Sequence, residues 1–232
     1  MIRNLKALGL ALVAVFAMSA VAAGSASAEE YAFHSSASFT TLTGSQSGAT
    51  NDVFTTDAGT VTCNTATYHG AISAAETTTI SLAPTYSSCT LEPFGSAVVS
   101  PNGCEYLIHA ETQVDENDFE TATEIVCPSG KEITVVASLF GTTKCTVHIP
   151  PQSLGTGITV TNQTTAAGVS DIQAHISFSG ITYTETPGSG FGACEGSGGA
   201  TTHNGTYTGL ATITGEDKKG NPLHIWAGAG PV

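Results

Sequence analysis

Glu132-Ile133-Thr134-Val135-Val136-Ala137-Ser138-Leu139 and Asp171-Ile172-Gln173-Ala174-His175-Ile176-Ser177-Phe178 are the stretches on which the fold is decided. In the first, Ile133, Val135, Ala137 and Leu139 face one way while Glu132, Thr134 and Ser138 face the other. In the second, Ile172, Ala174, Ile176 and Phe178 alternate with Gln173, His175 and Ser177. Successive side chains leave a β-strand on opposite sides, so this alternation describes strands with one buried face. Similar short runs, rich in Thr, Val and Ile, recur with Gly, Pro, Asn and Ser between them. The pattern predicts an all-β antiparallel sandwich or barrel, taken here as a sandwich-like domain with little or no helix.

Working outward, Pro128-Ser129-Gly130 and Asp217-Lys218-Lys219-Gly220-Asn221 have turn chemistry. Thr165 to Ile172 is the one stretch with helical character, and Gly168 weakens it. Glycines crowd around Cys194 between Thr186 and Asn204, which predicts a long loop tied down by a disulfide. Pro150-Pro151 is the best candidate for a sub-boundary, near residues 150–156, within a single domain.

The first residues, Met1 to Lys6, carry Arg3 and Lys6 and are followed by an apolar run from Ala7 to Ala23. Gly24-Ser25-Ala26-Ser27-Ala28 then ends in Ala-x-Ala before Glu29-Glu30. This is the layout of a signal peptide, residues 1–28, with cleavage after Ala28 and a single exported domain over 29–232. The leader takes two basic residues with it, leaving Lys131, Lys144, Lys218 and Lys219 against nineteen acids and a net charge near −15. An acidic surface without arginine is a poor partner for nucleic acid or anionic lipid, and nothing after the leader predicts a stable membrane anchor.

All six cysteines follow the leader, and none forms a Cys-x-x-Cys pair. An even set in an oxidising compartment reads as a disulfide framework with fifteen formal connectivities. Strand parity puts Cys104 with Tyr106 and Ile108, Cys127 with Ile125, and Cys145 with Val147 and Ile149, so these cysteines face the apolar side. Cys104 opens one strand and Cys127 closes the next about the polar segment Asp115-Glu116, and Cys63 and Cys89 are arranged in the same way about Glu76. The pairing favoured by this geometry is Cys63 with Cys89, Cys104 with Cys127, and Cys145 with Cys194.

Constellations with chemical potential all have simpler readings. Gly192-Ala193-Cys194-Glu195-Gly196 matches a nucleophile elbow in letters, but an elbow needs a strand leading into a helix. His109, His148 and His175 fall on polar strand faces; His109 and Glu111 make the closest local His–carboxylate pair. Asp115-Glu116-Asn117-Asp118-Phe119-Glu120 offers hard oxygens without the calcium-loop spacing, and reads as a solvated hairpin tip. Glu105, Glu111, Glu124 and Glu132 are carboxylates on outer faces, and Trp226 is the one tryptophan available to a sugar platform. The sequons at Asn162 and Asn204 are expected in a Thr-rich chain. A short echo, Thr67-Tyr68-His69-Gly70 against Thr206-Tyr207-Thr208-Gly209, hints at two related sheets. No catalytic, cofactor-binding or metal-binding residue is assigned, and no cofactor is expected.

The cysteine-centred order runs Cys63…Tyr68-x-Gly70, Pro84-x-Tyr86-x-x-Cys89, Gly103-Cys104-x-Tyr106, Cys127-Pro128-x-Gly130, Cys145…Pro151-Gln152, Cys194 and Tyr207-x-Gly209. It resembles a group of exported six-cysteine, Thr/Gly-rich β-proteins of high-GC Gram-positive (actinobacterial) soil bacteria. The resemblance spans nearly the whole chain and implies compartment and fold type, with no activity attached. The expectation is a non-catalytic secreted or envelope-associated structural or binding protein with a cell-wall or extracellular partner. The alternatives are a secreted hydrolase of an extracellular polymer, or a calcium- or glycan-binding module.

Overall fold

The computed structural model describes residues 30–48, 50–92, 95–164, 170–188, 194 and 199–230. The stretch expected to be a leader, the glycines of the elbow-like sequence and residues 165–169 lie outside the described residues; Ser170 to Ile172, the rest of the helical candidate, is extended.

The described residues form strands β1 (Tyr31–Ser35), β2 (Thr40–Gln46), β3 (Asp52–Thr56), β4 (Gly59–Ile72), β5 (Glu76–Thr77), β6 (Thr79–Leu91), β7 (Gly95–Ser100) and β8 (Glu105–Gln113). They continue with β9 (Asp118–Val126), β10 (Ile133–Leu139), β11 (Thr142–Ile149), β12 (Gln152–Thr164), β13 (Ser170–Pro187), β14 (Thr201–Glu216), β15 (Pro222–Leu223) and β16 (Ile225–Ala229). Every strand pairing is antiparallel, and the protein is all-β as its alternation predicts.

Four long strands, β4, β6, β13 and β14, run the height of the molecule, and the other staves are each built from two successive strands. Thus β2 pairs with β4 from Thr40↔Ile72 to Ser45↔Thr67, and β3 continues along β4 from Asp52↔Cys63 to Thr56↔Gly59. In the same way β7 and β8 share β6, β11 and β12 share β13, and β9 and β10 pair with β8 and β7. Each stave bonds the next in chain order, and β14 returns to bond both β2 and β3. The ladder therefore closes into an eight-staved up-and-down barrel, which leaves the main sheet without a free edge.

Three of the four mid-stave breaks contain proline: Pro101-Asn102-Gly103, Pro128-Ser129-Gly130 and Pro150-Pro151. Proline has no N–H for the ladder, and Asn102 (φ 55°), Gly103 (φ 82°) and Gly130 (φ 70°) adopt the left-handed region that allows a sharp local detour. Pro150-Pro151, the candidate sub-boundary, sits between β11 and β12, both of which pair with β13.

β1 pairs with β16 and β5 in a small second sheet at one end of the barrel. Phe33 and Ile225, both fully buried, meet Leu42, Ile72 and Ile80 there, so the first and last strands jointly cap that end. Asn162 pins the cap, its amide donating to Ala227 O and accepting from Ala227 N, both at 2.8 Å.

Inward positions are Ile, Val, Leu, Phe, Ala and Tyr; exposed outward positions include Thr65, His69, Thr85, Glu120, His175 and Thr208. A lipid-facing barrel carries an outward apolar band about 25 Å tall, and this polar wall has the opposite character. The three disulfides join Cys63 to Cys89, Cys104 to Cys127 and Cys145 to Cys194. Cys63 and Cys89 are directly opposed in the β4–β6 register, while Cys104 and Cys127 extend the β8–β9 ladder by one step.

Close packing of staves has a testable consequence at Gly70, where an added methyl would overlap the backbone carbonyl of Ser81 on β6. A backbone neighbour cannot rotate away, so Gly70→Ala is expected to destabilise by about 2 kcal/mol through overpacking. Urea unfolding checks this, and an unchanged midpoint refutes it.

Candidate functional site

Asp52 opens β3 just after the break in the first stave and turns its carboxyl into the barrel, where the residue is 2 % exposed. Tyr68 comes from β4 and Tyr207 from β14, the two neighbours of that stave. Both donate to the same oxygen, Asp52 Oδ1, at 3.1 and 2.6 Å. The hydroxyls of Tyr86 and Tyr207 lie 3.2 Å apart and those of Tyr86 and Tyr106 lie 2.9 Å apart.

Counting protons fixes the direction of this network. The Tyr207 proton is committed to Asp52, so Tyr86 donates to Tyr207, and Tyr106 in turn donates to Tyr86. The result is a one-way relay, Tyr106 to Tyr86 to Tyr207 to Asp52, with Tyr68 as a second donor to Asp52 whose hydroxyl also lies 3.0 Å from that of Tyr207. Edge-to-face contacts of Tyr86 with Tyr68 (6.4 Å) and Tyr207 (6.5 Å) hold the rings in place. Gly209 leaves room for the carboxyl, since a methyl there would overlap Asp52 Oδ1.

Burial dominates the electrostatics. Desolvation raises the Asp52 carboxyl above its ordinary value, against the lowering effect of the bonds from Tyr207 and Tyr68. Burial likewise lifts the Tyr68, Tyr86 and Tyr207 hydroxyls well above the usual tyrosine range, and Tyr106 is pushed up to about 12. Among the described residues Asp52 Oδ2 has no hydrogen-bond partner. Asp52 forms part of the wall of an interior cavity of about 40 Å³, whose remaining lining is largely apolar and includes Phe54, Val99, Ile125 and Val135. A second void, of about 30 Å³, lies between Tyr68, Tyr106 and Tyr207 and the apolar side chains Leu82, Ile108 and Ile176.

The residues singled out from sequence lie elsewhere. His109 meets Thr79 at 2.9 Å, and His148 sits between Glu132 (2.6 Å) and Thr186 (3.1 Å) on the outer wall. His175 contacts Gln173, and Glu105 accepts from Ser81. Glu111 falls at the β8 bulge between Ala110 and Thr112, while Glu124 pairs with Leu107 and Ser153 in the ladder. In the acidic hairpin, Asp115 accepts from its neighbour's N–H and Asp118 from Thr161, while Phe119 is buried, so these groups serve the turn and the adjoining ladder.

Cys194 is bonded to Cys145. Glu185 lies beside that bridge, but disulfide sulfurs offer no thiolate to a metal. Trp226 stacks on His34 within the cap, at 5.2 Å and 8°. Asn204, the second sequon, donates to Asp57 and accepts from Tyr183. A groove of about 380 Å³ on the outer wall is lined by Thr156, Thr159, His175, Ser177 and one carboxylate, Glu120.

Sequence reading did not select Asp52 or the tyrosines. The usable signal was the Thr-Tyr-x-Gly echo: both tyrosines end on one carboxylate, from strands flanking the same stave.

Burial also raises Glu185 and Asp171 above the ordinary carboxylate range. A raised carboxyl binds its proton more tightly in the folded state. Its penalty is absent below the unfolded pKa and fully present above the folded one, so stability falls as pH rises between the two. The melting temperature is expected to increase by a few degrees on going from about pH 7.5 to about pH 4.5, and Asp52→Asn or Glu185→Gln should flatten that slope. A melting temperature that declines steadily over the same interval contradicts this.

No protein-family model, no curated protein and no solved structure matches the chain.

Proposed function

We propose that the chain is an exported, non-catalytic structural or binding protein of the cell envelope or extracellular medium of a Gram-positive bacterium. The observation that carries this reading is the placement of its reactive residue types. Apart from the buried Asp52, Asp171 and Glu185, the histidines and carboxylates singled out from sequence lie on the outer wall and engage their neighbours, as His148 does with Glu132 and Thr186, and His109 with Thr79. The outer groove holds a single carboxylate, whereas glycoside hydrolysis generally uses two. Three disulfides fit an oxidising compartment, and the leader-like first 28 residues supply a route to it.

The test is expression of the full chain in a Gram-positive host, followed by fractionation, N-terminal sequencing and incubation of the purified protein with wall glycan. The expected product begins at Glu29, is found in medium or wall, and releases no reducing sugar. Retention of the leader in the membrane fraction overturns the export reading, and sugar release overturns the non-catalytic one.

A further inference from the structure

The interior cavity presents a chemical problem that the chain does not itself solve. Asp52 is nearly fully buried, Oδ1 takes both tyrosine protons, and Oδ2 has no partner among protein groups. Every hydroxyl proton of the four tyrosines is already committed along the relay, so none can turn to Oδ2 without abandoning another acceptor. The rest of the cavity wall is almost wholly hydrocarbon and aromatic, with Phe54, Val99, Ile125 and Val135 among its members. A buried polar oxygen left in this state is costly, and a lone carboxylate in apolar surroundings is best relieved by a cation that also hydrogen-bonds to it.

We propose that this cavity is a binding site for a small aliphatic ammonium ion, its head group donating to Asp52 Oδ2 and its alkyl chain lying along the apolar wall. Three features select a cation over a neutral or anionic ligand. Among the described residues no basic side chain lines the cavity, so an incoming ammonium would supply a countercharge to Asp52 that they do not. Tyr86, Tyr106, Tyr207 and Phe54 bring aromatic rings to the wall, and ring faces favour cations. The chain as a whole is strongly acidic, which raises the local concentration of cations and repels carboxylates. Size sets the upper limit: 40 Å³ of room for water-sized spheres corresponds to about three water molecules, the bulk of a short alkyl chain with one polar head. The proposal deepens the binding side of the exported, non-catalytic reading and rests on it. Its test is separate from the fractionation and sugar-release assays, so either can fail alone.

The experiment is an NMR and calorimetric titration of the disulfide-intact mature protein with propylammonium, n-propanol and propionate as probes. Propylammonium is expected to bind at least tenfold more tightly than n-propanol and to shift the methyl signals of Val99, Ile125 and Val135, with propionate silent. Asp52→Asn keeps the shape and an acceptor for both tyrosines, and is expected to weaken propylammonium at least tenfold while leaving n-propanol unchanged. Equal binding of amine and alcohol to the wild type overturns the proposal, as does undiminished amine binding in a folded Asp52→Asn protein. Absence of binding by all three probes overturns it as well. Should Asp52→Asn lose its dispersed spectrum, the amine-to-alcohol ratio on the wild type decides alone.

Discussion

Complete reduction of the three disulfides is expected to abolish cooperative folding at room temperature. The bridges close loops of 26, 23 and 49 residues that do not overlap in sequence, so their constraints on the unfolded chain act independently. Loop-closure entropy assigns each about 3–4 kcal/mol, together about 11 kcal/mol, against a typical domain stability of about 5–15 kcal/mol. The fold has reason to depend on them. Its inward positions include many small side chains, among them Ala66, Ala97, Ala137, Ala174 and Ala211, which bury little apolar area apiece. Two of the bridges also reach beyond the continuous ladder: Cys104–Cys127 spans the breaks in two adjacent staves, and Cys145–Cys194 ties β11 to the segment between β13 and β14. Far-UV circular dichroism in urea, with and without reductant and with a thiol count to confirm full reduction, reads the effect directly. A reduced protein with an unaltered midpoint would sink the expectation. Among single-bridge variants, removal of Cys145–Cys194 should cost most, because it closes the longest loop.

Strand faces and bridge partners were legible because both follow from a period of two. Parity placed Cys104 and Cys145 in the core and the half-buried Cys127 against it, and hairpin midpoints set two of the pairs. Closure was not legible. It depends on β14 meeting β2 and β3 across most of the chain, and local alternation is the same in an open sandwich and a closed barrel. The prolines illustrate the difficulty. Pro128-Ser129-Gly130 has turn chemistry whether the chain reverses or, as here, detours and continues from β9 into β10. The site escaped for a related reason. A single aspartate directly after Thr50-Asn51 looks solvated, and nothing near Asp52 in sequence announces tyrosines sixteen and 155 residues away. The Thr-Tyr-x-Gly echo carried the information, but its reading as related sheets missed what the repeated elements share, which is a tyrosine aimed at one carboxylate and a glycine without room for a methyl, against the Ser81 carbonyl at Gly70 and against Asp52 itself at Gly209.

The one-way proton order makes the four tyrosines unequal, and their hydroxyl deletions should reveal it. Tyr207→Phe removes the 2.6 Å donor to Asp52 and the acceptor that Tyr86 uses, so a buried charge-assisted bond is lost and a buried donor is stranded. Together these predict a loss of about 3 kcal/mol. Tyr86→Phe strands the Tyr106 proton and leaves Tyr207 one donor short, for about 2 kcal/mol. Tyr68→Phe removes the longer of the two bonds to Asp52 and strands no donor, for about 1.5 kcal/mol. Tyr106 begins the relay and accepts from none of the other three, so Tyr106→Phe leaves only an acceptor underused and should cost about 0.5–1 kcal/mol. Each variant keeps its ring and most of its apolar burial, so the ranking reads hydrogen bonding and not packing. Removing the hydroxyls of Tyr68 and Tyr207 together leaves Asp52 without a tyrosine donor, and the combined loss should exceed the sum of the single losses. Urea midpoints for the five proteins test the order, and a Tyr106→Phe cost equal to that of Tyr207→Phe would mean that the protons run the other way.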